Sequence, residues 1–253
     1  MTGFLERVAT RLYLPAALAK DGVVEIDAAQ THRLRHVLRL TTGAAVAGFN
    51  ARDGEFLCRL AELGRNHGSL AVERLLRAPE AGPDLWLLFA AVKRLRLDWL
   101  VEKATELGVA AFVPVFTERT QPERLNRERL LAHAVAAAEQ SERLSIPELR
   151  PPVRLSAVLA AWPAERRLIL CDETGAGAPI AEALAGLPGD APAAVLVGPE
   201  GGFTQTELDA LADLPFVTRA GLGPRVLRAE TAALAALAAF QAIAGDWRHQ
   251  RRR

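Results

Sequence analysis

The region from residue 85 onward alternates short apolar runs with longer segments of helical periodicity. Continuous apolar runs are typical of strands that are buried on both faces of a sheet. The predicted strands are Leu85–Val92, Phe112–Phe116, Arg167–Cys171, Ala193–Val197 and Phe216–Arg219, and the predicted helices include Leu97–Leu107, Arg124–Ser141 and Arg228–Asp246. Strands that alternate with helices predict an α/β domain with a mostly parallel sheet.

The first 77 residues follow a different pattern, with short strand-like runs separated by turn residues and one basic helix at about Ala29–Leu40. The predicted strands are Arg11–Leu14, Val23–Ile26, Ala45–Phe49, Glu55–Leu60 and Ser69–Leu76. Short strands at regular spacing predict a small β-barrel. We therefore expect a barrel domain at 1–77, a proline- and glycine-containing linker at 78–84, and the α/β domain at 85–253.

Two glycine-proline loops follow the last two predicted strands. The first spans Gly198–Gly202 and leads into Thr204-x-x-Glu207, the capping-box pattern of a helix start. By itself this loop is more often an ordinary turn than a site. The second loop starts at Gly221 and carries Arg225, Arg228 and Glu230 beside an almost wholly apolar helix. Charges next to a buried helix are costly unless they are paired or used, so the two loops predict a ligand site at neighbouring strand ends.

Composition narrows the class of protein without identifying it. Lys and Arg number 31 against 30 Asp and Glu, which neither demands nor excludes RNA binding. No apolar run reaches the roughly 18 residues of a membrane span, and the N-terminus has no signal-peptide core, so we expect a cytoplasmic protein without a membrane segment. Cys58 and Cys171 match no metal spacing, and His32 with His36 has no third ligand, so no metal is expected.

The two loops also resemble those of a known family. Val197-Gly-Pro-Glu-Gly-Gly-Phe-Thr-x-x-Glu207 and Leu222-Gly-Pro-Arg-Val-Leu-Arg-x-Glu-Thr-Ala232 are similar to the signature loops of the RsmE family of SPOUT-class RNA methyltransferases. Further matches are Arg11-Leu-Tyr13, Lys93, Glu102–Val109, Pro114, Glu118-Arg119, Glu139-Gln-Ser141 and Pro147-Glu148, so the resemblance covers nearly the whole chain. The chain departs from the family pattern at Glu142–Ser145, where only Arg143 is kept.

The resemblance implies a fold and an activity. The fold is a SPOUT-type, trefoil-knotted parallel-sheet domain preceded by a small PUA-like β-barrel that helps to hold RNA. The activity is methylation of uridine N3 in small-subunit (16S) ribosomal RNA, at uridine 1498, with S-adenosylmethionine as methyl donor. The implied partners are ribosomal RNA or the assembled small ribosomal subunit, and a second copy of the chain in a homodimer. The apolar helix Arg228–Phe240 would be buried in the dimer interface.

The residues expected to form the site fall into three groups. Methyl-donor contacts are expected, mainly through bare backbone, from Leu170, Cys171, Glu173, Val197, Gly198, Pro199, Glu200, Gly201, Gly202, Leu222, Gly223, Pro224, Val226, Leu227 and Arg228. RNA contacts are expected from Arg11, Arg35, Arg39, Lys93, Arg94, Arg96 and Arg143. The expected catalytic residues are Arg228, Glu230 and Arg225, with Arg228 stabilising the uracil anion and Glu230 holding Arg228 by a charge-assisted hydrogen bond. The alternative is that Glu230 takes the N3 proton.

Two other functions fit parts of the sequence. A non-catalytic RNA-binding module would use the barrel for binding and the loops only as structure. A dinucleotide-dependent oxidoreductase would use Gly175-Ala-Gly177, but Ile180 stands where the third glycine of that fingerprint belongs.

Overall fold

The computed structural model of the 253-residue chain describes residues 7–90, 94–120, 125–188 and 191–248. The chain forms two compact units, one from Met1–Ala81 with Ala138–Ile146 and the other from Gly82–Ala137 with Pro147–Arg253. The first unit therefore contains a segment from far along the chain, which the expected division into 1–77 and 85–253 does not include. The buried cluster of Phe49, Ala138 and Leu144 accounts for the difference, because it packs this segment onto the first unit.

The first unit is built on a five-stranded sheet. Its strands are β1 (Arg11–Tyr13), β2 (Val23–Ile26), β3 (Ala45–Asn50), β4 (Gly54–Leu63) and β5 (Gly68–Arg77). The order is β1-β3-β4-β5-β2, with β1 parallel to β3 and the other neighbours antiparallel. In the part of the chain that the structure describes, β1 and β2 do not pair with each other. The sheet is thus an open half-barrel, in agreement with the small β-barrel unit that the sequence predicted.

The basic helix of the first unit is shorter and less regular than predicted. Helix α1 spans Ala28–His32, and Asp27 and Gln30 form a capping box at its start. One turn of π-helix follows at Arg33–Val37, and Arg39 has a φ of 54°. A left-handed residue cannot continue a right-handed helix, so the helical segment ends before the predicted Leu40.

The second unit is an α/β domain with a parallel sheet, as predicted. Its strands are β6 (Leu85–Ala90), β7 (Ala111–Phe116), β8 (Glu148–Leu149), β9 (Val153–Arg154), β10 (Arg167–Cys171), β11 (Ala178–Pro179), β12 (Ala193–Val197) and β13 (Val217–Gly221). The order is β11-β13-β10-β12-β6-β7-β8, β9 also pairs with β7, and all these pairs are parallel. The strands β8, β9 and β11 have two residues each and were not predicted, because a pair of residues has no period.

Helices cover both faces of this sheet. The helices of this unit are α2 (Arg94–Glu106), α4 (Leu155–Ala160), α5 (Ile180–Ala185), α6 (Gln205–Ala212) and α7 (Ala229–Ile243), followed by a 3-10 turn at Asp246–Arg248. Helix α3 (Arg127–Gln140) begins in this unit, and its last residues, 138–140, belong to the first unit. Leu208 and Leu211 of α6 pack on Leu170 and Leu196 of the sheet. Helix α7 contacts α2, α5 and β12. The alternation of side chains along a strand places these two sets of helices on opposite faces.

The described helices include none that is long and apolar enough to cross a membrane. The fold class is the α/β class that the sequence predicted, a small β unit followed by a parallel-sheet domain. The trefoil knot concerns how the segment after β13 threads through the chain, and it stays a prediction.

Candidate functional site

Three loops begin side by side at the carboxyl edge of the parallel sheet. Strand β10 lies between β12 and β13, with Leu170 opposite Leu196 and Cys171 opposite Ala220. The loops after these strands, 172–177, 198–204 and 222–228, therefore start at the same level. Parallel α/β sheets bind their ligands at this edge, where backbone groups are free of the ladder. The structure thus brings together the two glycine loops and the Glu173 loop that the sequence singled out.

Asp172 anchors the first of these loops. Its carboxylate accepts hydrogen bonds from the backbone N–H and the hydroxyl of Thr174, at 2.9 and 2.7 Å, and from Nε of Arg219 at 2.9 Å. Burial alone would raise the pKa of Asp172, but the hydrogen bonds from Thr174 and Arg219 and the charge of Arg219 together hold it below its usual range. Asp172 is therefore a charged structural residue, which sequence analysis missed because Arg219 lies 47 residues away.

Leu170 and Cys171, both expected to touch the methyl donor, have buried side chains at the end of β10. Burial, together with the negative charge of Glu173, raises the pKa of Cys171 to about 12, so its thiol is unreactive at neutral pH. These two residues could therefore contact a ligand only through their backbone groups. Glu173 is exposed, and its carboxylate reaches the neighbouring loop at Gly202.

The four glycines of the two signature loops serve different purposes. Gly202 and Gly223 have φ values of 66° and 93°, which L side chains rarely adopt. A Cβ on Gly202 would also lie 2.1 Å from Oε1 of Glu173. A Cβ on Gly198 would lie 2.8 Å from the Phe203 ring, whereas one on Gly201 would make only ordinary contacts with Arg119. Of these four positions, only 202 and 223 thus have a backbone conformation that favours glycine.

A fourth loop, which follows β7, braces the first glycine loop. Nη1 of Arg119 donates a hydrogen bond to the carbonyl of Gly201 at 2.7 Å. The backbone N–H of Glu118 donates to Oε1 of Glu207, and Oε2 of the same carboxylate accepts from the backbone N–H of Thr204, each at 2.9 Å. Thr204 and Glu207 form the predicted capping box of α6. The bracing role of Glu118 and Arg119 was not predicted, although both belong to the motif positions quoted for the family.

The second signature loop is open to solvent. Arg225 and Arg228 are exposed, and neither guanidinium has an ion pair or hydrogen bond with the described part of the chain. Val226 between them is 88% exposed. Leu222 and Leu227 are half-buried, while Gly223 and Pro224 are exposed. Two unpaired cations therefore stand at the start of α7, where a developing negative charge would be stabilised.

Glu230 is buried at the start of α7, but it does not pair with Arg228. Its Oε1 lies 3.5 Å from Nε of Arg96, and its Oε2 is buried without a hydrogen-bond partner among the described residues. Nη1 of Arg96 also lies 3.5 Å from Oε1 of Glu200. The expected hydrogen bond between Glu230 and Arg228 is therefore wrong, because Arg96 of α2 takes the place that was assigned to Arg228.

Comparisons with known proteins show which family the chain belongs to. Residues 79–241 match the family model of the RNA methyltransferase domain. The ribosomal RNA small subunit methyltransferase E of Rickettsia conorii is 32% identical over 234 residues, which cover 90% of this chain and 93% of that protein. The chain belongs to the RsmE family of RNA methyltransferases. The Bacillus subtilis relative of the same name is 28% identical over 85% of this chain and 88% of that protein.

A solved structure of the family has the same fold. The methyltransferase E from Neisseria gonorrhoeae, bound to S-adenosyl methionine, superposes with a TM-score of 0.83 at 27% identity, over 94% of this chain and 99% of that one. Membership of this family argues against the alternative of a dinucleotide-dependent oxidoreductase that would use Gly175–Gly177. Gly177 has a packing role instead, because a Cβ there would lie 2.9 Å from the backbone of Ala220.

Arg11, one of the basic residues predicted to contact RNA, is instead engaged inside the first unit. Its Nη1 donates to the carbonyls of Ala138 and Glu139 at 2.8 and 3.0 Å, and its Nη2 donates to that of Arg143 at 3.0 Å. Its Nε pairs with Glu55, and the side chain is only 11% exposed. The expectation of an RNA contact at Arg11 is therefore wrong, since its donors are already engaged with protein.

The other predicted RNA contacts differ in their exposure and in their hydrogen bonds to the protein. Arg35 and Arg39 are exposed, and Arg35 donates one hydrogen bond to the carbonyl of Gly64. Arg143 is half-buried and donates to the hydroxyl of Ser145 at 3.0 Å. Lys93 and the side chain of Arg94 lie outside the described part of the chain. Arg35 and Arg39 thus remain the best-placed candidates for phosphate contacts.

Proposed function

We propose that this protein methylates N3 of a uridine in 16S ribosomal RNA, uridine 1498, with S-adenosylmethionine as the methyl donor. The observation that carries the proposal is the convergence of three loops at the carboxyl ends of β10, β12 and β13 beside Arg225 and Arg228, which have no ion pair within the described residues. The sulfonium of the bound donor supplies an electrophilic methyl group. The work of the protein is to align that methyl with the nucleophile and to adjust the charge of the nucleophile.

The loops fit a ligand of this kind. S-adenosylmethionine carries an adenine, a ribose and an amino-acid tail, and all three offer groups that hydrogen-bond to free backbone. Gly202 and Gly223 turn the chain in left-handed conformations, and a Cβ on Gly223 would meet nothing within 4 Å. Gly198–Gly202 and Leu222–Arg228 would hold the donor mainly through backbone groups, joined by Leu170, Cys171 and Glu173 at the end of β10 and in the loop after it.

Uracil N3 is a poor nucleophile at neutral pH because it carries a proton and its lone pair is delocalised into the ring. The base must lose this proton to solvent, and the resulting anion is stabilised by nearby positive charge. The anion then attacks the methyl carbon, the S–CH₃ bond breaks, and the thioether S-adenosylhomocysteine leaves. Arg228 and Arg225 supply that charge, since both guanidiniums are exposed and unpaired in the described chain. A base-paired uridine hides N3, so the substrate uridine is unpaired or flipped out of its helix.

Each of the two units carries candidate phosphate contacts in this proposal. Arg35 and Arg39 of the first unit contact phosphates, as do Lys93 and Arg94 near the start of α2 and Arg143 of the first unit. Such contacts supply affinity without reading the sequence. The substrate is ribosomal RNA or the assembled small subunit, and the protein acts in the cytoplasm with it.

We also propose that the protein is a homodimer, on the resemblance to RsmE proteins and not on the apolarity of α7. Ala233, Leu237 and Phe240 of α7 are already buried within their own chain, so this helix does not need a partner to cover it. Large apolar side chains that remain exposed in the second unit include Trp99 at 46%, Val226 at 88% and Trp247 at 56%. Light scattering of the purified protein gives the mass directly, and a monomer that retains activity contradicts the dimer.

The activity is tested with purified protein, methyl-labelled S-adenosylmethionine, and either 16S RNA or small subunits from cells that lack this modification. Mass spectrometry of the digested RNA should detect 3-methyluridine. Reverse transcription should stop next to the modified position, because an N3 methyl blocks Watson–Crick pairing. Tight RNA binding without any methyl transfer would instead favour the non-catalytic RNA-binding module.

A further inference from the structure

Arg96 connects three separate parts of the second unit. It lies in the first turn of α2, which follows β6, and its guanidinium faces two carboxylates. Nη1 lies 3.5 Å from Oε1 of Glu200 in the loop after β12, and Nε lies 3.5 Å from Oε1 of Glu230 at the start of α7. One side chain therefore contacts both signature motifs, one in the loop itself and the other at the helix that follows it.

The burial of the three side chains differs. The side chain of Glu230 is 10% exposed, that of Arg96 is 31% exposed and that of Glu200 is 45% exposed. Oε2 of Glu230 is buried and has no hydrogen-bond partner among the described residues, and the ionic contact of this carboxylate comes from Arg96. Removal of one partner of a buried pair leaves an uncompensated charge, which is strongly unfavourable. Glu230 therefore depends on Arg96 more than Glu200 does.

We propose that Arg96 is a positioning residue that fixes the carboxylate of Glu230 and ties it to the Glu200 loop. This inference rests on the proposed function. It replaces the expectation that Arg96 contacts RNA, because its guanidinium already lies between two carboxylates. Arg96 acts through Glu230: it neutralises the two carboxylates that the loops bring together, and it keeps Oε2 of Glu230 in place as a hydrogen-bond acceptor at the start of α7.

An RNA contact and a positioning residue predict the loss of different binding affinities when Arg96 is substituted. A residue that contacts RNA phosphate contributes to RNA affinity and to its salt dependence, and it leaves the affinity for the methyl donor unchanged. A residue that holds the two loops together contributes to donor affinity even when RNA is absent. The affinity for S-adenosylmethionine alone, measured by calorimetry, therefore separates the two roles.

The test compares Arg96→Gln and Arg96→Lys with the wild-type protein. We expect Arg96→Gln to weaken S-adenosylmethionine binding about tenfold or more, which is within the range of coupled contacts. Arg96→Lys keeps the charge and should lose less donor affinity than Arg96→Gln, although one ammonium cannot reproduce the separate Nη1 and Nε contacts. The salt dependence of RNA binding should be the same in all three proteins.

Lys103→Gln is the matched control. Lys103 lies on the same helix and also faces two carboxylates at 2.8 Å, those of Glu102 and Glu106, but neither belongs to a signature loop. Its substitution should leave donor affinity unchanged. In a double-mutant cycle, Arg96→Gln should cost at least about threefold less in a Glu230→Gln background, because the unpaired buried charge is then absent.

Several results overturn the inference. These are wild-type donor affinity in Arg96→Gln, a loss confined to RNA affinity with a shallower salt dependence, or an equal loss from Arg96→Gln in the wild-type and Glu230→Gln backgrounds. If Arg96→Gln does not fold, Arg96→Gln combined with Glu230→Gln, which leaves no unpaired buried carboxylate, replaces it, and wild-type donor affinity in that double variant overturns the inference. A wild-type protein that binds the donor but never methylates RNA contradicts the proposed function instead, and the binding test of Arg96 is unaffected.

Discussion

Arg219 and Asp172 form an ion pair across two neighbouring strands at the edge where the site lies. Nη2 of Arg219 lies 2.7 Å from Oδ2 of Asp172, whose side chain is fully buried at 0% exposure. Asp172 follows β10 directly, and Arg219 lies within β13. The pair therefore fixes the starts of two of the three loops relative to each other.

The Asp172 pair predicts a pH-dependent contribution to stability. Despite its burial, the hydrogen bonds and charge around Asp172 hold its pKa below the usual value. A lowered pKa means that the stabilisation is complete above about pH 4, the ordinary value for Asp, and is lost as the pH falls through the folded-state pKa. Asp172→Asn should lower the free energy of unfolding by about 3 kcal/mol at pH 7. Urea unfolding at pH 7 and pH 3 measures this, and the same difference at both pH values would contradict it.

Gly202 and Gly201 provide a matched pair of substitutions in one loop. Gly202→Ala puts an L residue at a φ of 66°, which strains the backbone, and its Cβ would lie 2.1 Å from Oε1 of Glu173, so that side chain must move aside. Gly201→Ala adds a Cβ 3.6 Å from Cδ of Arg119, an ordinary contact. We expect Gly202→Ala to weaken donor binding about tenfold, because the backbone strain alone is on the order of 1–2 kcal/mol. Gly201→Ala should stay close to wild type in calorimetry, and equal losses would show that the conformation of Gly202 is not what matters.

Arg228→Ala should slow methyl transfer about a hundredfold or more and leave donor affinity nearly unchanged, because one charged donor to a developing anion is worth this much. A higher pH should restore part of the rate, since uracil then loses its N3 proton without help. Single-turnover rates at several pH values check this. Arg228→Lys, which keeps the charge, is the control. A loss that lies wholly in donor binding would remove Arg228 from the catalytic residues.

The exposed arginines of the first unit should act on RNA phosphates. Arg35→Ala combined with Arg39→Ala should weaken RNA binding and lower the slope of log affinity against log salt by about two, one for each lost phosphate contact. Donor affinity should not change. Filter binding over a range of salt concentrations gives the slope, and an unchanged slope would exclude both residues from the interface.

Arg11 should behave differently from these two arginines. Arg11→Met removes the donors that satisfy the carbonyls of Ala138, Glu139 and Arg143, and it leaves the buried Glu55 with Arg77 as its ionic partner. We expect a loss of about 3 kcal/mol in stability. In a protein of this size that lowers the melting temperature by roughly 6–12 °C. The salt dependence of RNA binding should be unchanged at temperatures where the variant is folded, and a lower slope would restore Arg11 to the RNA contacts.

Local patterns in the sequence determined the bounds of several strands and the start of one helix. Strands β2, β10 and β12 have the predicted bounds, since each is a run of strand-forming residues closed by turn residues. The capping box at Thr204 and Glu207 is also present as predicted, because both partners lie within one turn of chain. Helices α4 and α5 were missed, since six residues each are too few to show a helical period.

The sequence by itself determined the α/β class, the two signature loops and the family, because each of them depends on patterns of residues that are close together in the chain. Only the tertiary structure decided which charges meet. In the structure Glu230 forms its ion pair with Arg96 and not with Arg228. Arg11 donates a hydrogen bond to a carbonyl 127 positions away, and Asp172 forms an ion pair with Arg219. The physical reason is that an ion pair depends on distance in space. Two charges that are far apart in the chain leave no periodic pattern, and packing of the sheet and helices sets their separation.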